Sequence, residues 1–181
     1  MNQLRLFVRG SRQLHVKIID GNGWNLAASP TEVLLIASVI ELFLNEFNPE
    51  FLFSGSIEVA NDPAAAAPVI LFGMDARHRR INLNLTTSYD PPLTILNWPQ
   101  MAFQLAHELA HYFSCVNSCH ADDWFMETIA EVASLFFLKK MDDVFSQHPL
   151  DRFRGCSFLF RSYLDARLQS VPCIDKNCSQ A

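Results

Sequence analysis

The 181-residue chain lacks any apolar run near the ~20 residues that a bilayer-crossing helix needs. Its longest, Val33 to Ile40, is followed at once by Glu41, Asn45 and Glu46, so no membrane partner is expected. The first ten residues, Met1 to Gly10, lack the apolar core and small-residue cleavage site of a secretory leader and read instead as a strand. Without a leader, the odd count of five cysteines reads as reduced thiols, and a cytoplasmic location is expected. A surplus of positive charge is also missing. The 14 basic and 19 acidic residues leave a net charge of −5, which argues against a nucleic-acid partner. Charged residues make up only 18% of the chain and half of it is apolar. That balance suits one compact domain with a large core, expected over residues 1–169, with residues 170–181 as a flexible tail.

What is present is concentrated in one stretch, His107-Glu108-Leu109-Ala110-His111, inside a helical run from Trp98 to Val116. Four residues apart on a helix, the two imidazoles project from one face, one turn above the other. That spacing brings two ring nitrogens to one zinc ion at roughly 2.0–2.1 Å. Glu108 follows the first histidine and reaches a zinc-bound water as general base. Met101, Phe103, Leu105, Leu109 and Phe113, with Ala102, Ala106 and Ala110 between them, make a buried helix rather than a solvated one.

Two histidines leave a catalytic zinc one protein ligand short. Downstream candidates are His120, Asp122, Asp123, Glu127 and Glu131. The run from Trp124 to Leu138 reads as a second buried helix whose only charged residues, Glu127 and Glu131, are four apart on one face. Buried carboxylates are costly unless a cation or hydrogen-bond donors meet them, and a zinc ion with its histidine supplies both.

The H-E-x-x-H helix followed by this acidic helix resembles the zincin metallopeptidases of the thermolysin-like, or gluzincin, type. The resemblance implies a zinc cofactor, with His107, His111 and Glu127 as metal ligands and Glu131 as hydrogen-bond partner of His107. Fifteen residues separate His111 from Glu127 and nineteen separate it from Glu131. The longer spacing suits the large family members, whereas Trp124-x-x-Glu127-x-x-Ala130-Glu131 suits the small ones. Glu127 is therefore favoured and Glu131 remains the alternative. The other family pattern, a third histidine six residues after the second with a glycine between, is absent, since position 117 is Asn.

Along the rest of the chain, Leu4–Val8 and Leu14–Ile19 form an expected antiparallel hairpin. Ser29-Pro30-Thr31-Glu32 opens a buried helix that ends near Phe47. Ser56–Val59 and Val69–Phe72 are strand candidates, and Asn61 to Pro68 is a loop. The basic cluster Arg77 to Arg80 reads as a solvated turn. Arg80 to Leu85 alternates, with Ile81, Leu83 and Leu85 opposite Asn82 and Asn84, as a half-exposed strand does. By resemblance, this last strand before the metal helix lies at the cleft rim and offers its backbone to an extended peptide. Lys139 and Lys140 suit a helix C-terminus. Leu150 to Leu168 reads as a last helix, with Arg152, Arg154, Arg161 and Arg167 solvated. Cys115, Cys119, His120, Cys173 and Cys178 match no common zinc module.

The expected fold is α+β: a small, mostly antiparallel sheet packed on helices. The expected activity is zinc-dependent hydrolysis of peptide or protein substrates, with Glu108 as base. The oxyanion donor is Tyr163, ahead of His120, Tyr112 and Arg80. A zinc-holding scaffold without peptidase activity, or a purely structural metal site, is the alternative reading.

Overall fold

The computed structural model describes residues 3–9, 12–21, 30–47, 55–72, 78–85, 95–115, 123–148 and 154–170. Strands β1 (Gln3–Arg9) and β2 (Arg12–Ile18) form the expected hairpin, with Leu6 opposite His15. Helix α1 (Pro30–Phe47) follows, then β3 (Gly55–Asn61), β4 (Val69–Phe72) and β5 (His78–Leu83). The second half is helical: α2 (Trp98–Cys115), α3 (Asp123–Ser146) and α4 (Ser157–Ser170). The class is α+β, as the sequence implies.

The sheet order is β1-β2-β3-β5-β4. It is mixed rather than mostly antiparallel. The outer pairs β1–β2 and β4–β5 are antiparallel, but β2–β3 and β3–β5 are parallel. The reason is the chain path: α1 carries the chain back to the starting end of β2, so β3 enters the sheet in the same direction.

One sheet face is apolar. Leu14, Val16, Ile18, Ile57, Val59, Ile81 and Leu83 are buried and join a single core with residues of α1, α2 and α3. His15, His78 and Arg80, on the other face, are exposed. Phe43 of α1 ties the helices together. Its ring stacks on Phe113 of α2 at 5.3 Å and on Phe137 of α3 at 5.0 Å.

Four local expectations change. The strand read as half-exposed lies between β3 and β4, so both its edges are paired, and Asn82 is buried. Among the described residues, β4 takes the outer position on that side of the sheet instead. His78, Arg79 and Arg80 open β5 rather than forming a solvated turn. α3 runs on to Ser146, so Lys139 and Lys140 sit inside it, paired with Asp143 and Glu46 at 2.7 and 2.8 Å. α3 is also buried on one side only: Phe125, Ile129, Val132 and Phe136 are exposed. The last helix begins at Ser157, and residues 150–153 of the span expected for it lie outside the described ones. The tail is likewise outside them, save Ser170, which closes α4.

Candidate metal centre

The metal helix is held to the sheet by side-chain amides. Gln104 receives the Asn84 backbone N–H on its Oε1 and donates from its Nε2 to the Asn84 carbonyl, both at 2.9 Å. Gln100 donates to the same carbonyl at 3.2 Å. Asn61, at the end of β3, exchanges two bonds with the Leu85 backbone, and Asn84 donates to the Ala65 carbonyl. Buried amides are costly unless satisfied, and these are satisfied by backbone that has left the strand ladder. They fix the end of β5 and the segment before β4 against the first two turns of α2.

Above this junction three helices each contribute two residues four apart, hence on one face. α2 supplies Phe103 and His107, with His111 a turn later; α3 supplies Glu127 and Glu131; α4 supplies Tyr163 and Arg167. All seven line one cleft of about 830 Å³, whose opposite wall is Ala67 to Ile70 at the β4 edge.

The Nε2 atoms of His107 and His111 lie 3.1 Å apart. The Glu127 carboxylate faces both, with Oε2 3.2 Å from His107 Nε2 and Oε1 3.3 Å from His111 Nε2. Ligands 2.0–2.1 Å from a tetrahedral zinc stand about 3.3 Å from one another. The two imidazole nitrogens stand near that separation, and with one oxygen of Glu127 the three donors lie within 4.8 Å of one another, close enough to share one ion. Burial, and then the nearby His111, lower the pKa of His107, which favours the neutral ring that a metal requires. Among the described residues this is the one group of three metal-ligating side chains, and all three line the cleft.

Glu108 is 3% exposed and sits beside this group. Burial, reinforced by the charge of Glu127, raises its pKa to about 7, against the opposing effect of a hydrogen bond from the Ile70 backbone. Glu131 lies on the other side of His107, its Oε2 4.0 Å from Nδ1, beyond hydrogen-bond length. Its Oε1 instead accepts from Nη2 of Arg167 at 2.8 Å.

Tyr163 lines the cleft, edge-on to Phe103 at 5.9 Å, and burial raises its pKa. The other oxyanion candidates stand elsewhere. Tyr112 is buried in the core against Phe113, Arg80 is exposed and bonded to Asn82, and His120 lies outside the described residues. The cysteine-rich cluster is outside them as well, apart from the backbone of Cys115; Cys156 is a buried free thiol.

Two features escaped the sequence reading. Arg167, expected in solvent, stands in the cleft with its guanidinium 4.5 Å from the Phe103 ring centre. Its one legible signal is the four-residue spacing from Tyr163. Ala67 and Pro68, read as a plain loop, form part of the cleft wall, and no pattern in the sequence marks them. No protein family, curated protein or solved structure matches the chain.

Proposed function

We propose that this protein is a zinc-dependent peptide hydrolase of gluzincin-like design, acting in the cytoplasm. The observation that carries the reading is the triangle of His107, His111 and Glu127 donors, closed on one side by buried Glu108 and open on the other to a cleft. His107, His111 and Glu127 hold the metal. Held there, zinc would supply Lewis acidity, polarising the substrate carbonyl and making water more acidic.

Glu108 takes the proton from the attacking water and delivers it to the nitrogen of the departing amine. Its burial beside the ligand group keeps it out of bulk water and within reach of the cleft that the substrate enters. Tyr163 is the hydrogen-bond donor for the carbonyl oxygen as it gains charge. An extended peptide lies along the outer edge of β4, whose Val69 and Leu71 side chains are exposed, and pairs with its backbone at groups other than the Ile70 N–H, which Glu108 holds. This moves the substrate-binding role expected of β5 to its neighbour.

The test is cleavage of a peptide library by the zinc-loaded protein beside its Glu108→Gln variant. The amide keeps the shape of the carboxylate but cannot accept the proton. The variant is expected to retain its zinc and to cleave about 10²–10⁴-fold more slowly. Equal cleavage by both proteins would remove Glu108 from the base role. A parent that binds zinc and cuts no peptide would favour a scaffold.

A further inference from the structure

Three facts about Arg167 belong together. Its Nη2 donates to Glu131 Oε1 at 2.8 Å. Its guanidinium lies 4.5 Å over the ring of Phe103, which comes four residues before His107 on α2. Its Nε is buried and has no hydrogen-bond partner among the described residues. A guanidinium pressed on an aromatic ring has few rotamers left, and its planar fork fixes a carboxylate in direction as well as in distance. A buried N–H without a partner is unfavourable, so the side chain is held there against that cost by its stacking and its ion pair.

The consequence falls on Glu131. With Oε1 held by Arg167, its other oxygen is turned toward Nδ1 of His107, 4.0 Å away. A metal-bound histidine is oriented by what its second nitrogen meets. We infer that Arg167 is a positioning residue for the metal centre: seated on Phe103, it aims Glu131 at His107 and so sets the orientation of that ligand. α4 then belongs to the metal site although it contributes no ligand. The inference rests on the zinc reading above and adds a residue that touches neither metal nor substrate in this role.

The test uses the full chain and zinc itself. Zinc affinity is measured by chelator competition for the parent, Arg167→Gln, Glu131→Gln and the double variant. Each single variant is expected to bind about 10-fold more weakly. Because Arg167 acts through Glu131, the double variant is expected to be no weaker than the weaker single one. The second readout is the proton on Nδ1 of His107 in the zinc-loaded protein, followed by nitrogen-15 NMR of the imidazoles. It is expected to be hydrogen-bonded and slow to exchange in the parent, and fast in both single variants.

Should Arg167→Gln fail to fold, Phe103→Leu, which removes the aromatic seat and leaves the Arg167–Glu131 pair's own atoms in place, is expected to show the same faster exchange. Losses that multiply in the double variant would overturn the inference. So would parental exchange in Arg167→Gln, or in Phe103→Leu where that variant replaces it, and so would tighter zinc binding without Arg167, which would make the arginine a competitor for Glu131. A parent that binds no zinc would instead overturn the metal reading itself.

Discussion

Helices α2 and α3 each carry chemistry-bearing side chains four residues apart, yet they present them differently. On α2 the side chains of His107 and His111 are 16% and 13% exposed, and Glu108 is buried between them. On α3 the Glu127 side chain is 63% exposed and that of Glu131 34%. α2 is packed on nearly every side, whereas α3 buries Ala130, Ala133, Phe137, Leu138 and Met141 and leaves the opposite apolar stripe in solvent. The contrast assigns the two helices different work. On the proposed zinc reading, α2 would hold two ligands and the base on its packed face, and α3 would bring a third ligand in from a wetter wall. Such a site is preorganised on one side and completed from the other.

Breaking the exposed wall tests this most strongly. Glu127→Ala leaves two histidines, too few for a stable catalytic zinc, so tight binding is expected to disappear in a chelator titration. If it persists, the third ligand is another residue and the wall is not part of the site.

The packing contrast predicts a smaller effect, on stability. Phe137→Ala removes a fully buried ring stacked on Phe43 and is expected to cost about 3–5 kcal/mol in denaturant unfolding. Val132→Thr, on the exposed stripe of the same helix, is expected to change stability by at most ~0.5 kcal/mol. A large loss at Val132 would mean that the stripe is covered in solution.

Glu131→Ala sharpens the division within α3 itself. A residue that only orients a ligand typically accounts for about 10–100-fold in metal affinity, so this variant is expected to bind zinc weakly but measurably. If it loses the metal while Glu127→Ala keeps it, the two glutamates have exchanged roles.

The parts legible in the sequence were those set by neighbours along the chain. The face shared by His107 and His111 follows from helix geometry, and the start of α1 from its Ser-Pro-Thr-Glu opening. The bounds of β4 follow from a short apolar run between breakers. What escaped depends on contacts distant in sequence. The alternation from Arg80 to Leu85 speaks of two faces but not of two edges, so it could not say that β4 would take the outer position. Asn82 and Asn84 looked like solvent-facing residues. Asn82 is buried where β5 lies between β3 and β4, and Asn84 is held by the Ala65 carbonyl and by Gln104, none of them adjacent in sequence. Arg167 looked solvated for the same reason, since its partners Glu131 and Phe103 are on other helices. The pair of glutamates was legible as a pair. Their separate positions, one facing both Nε2 atoms and one facing Nδ1, needed the crossing of α2 and α3.

The most direct test of the central claim is metal analysis after zinc reconstitution, on the parent and on His107→Ala and His111→Ala. The account predicts about one zinc per chain in the parent and none retained against a chelator in either variant. No zinc in the parent, or an undiminished content in both variants, would contradict it.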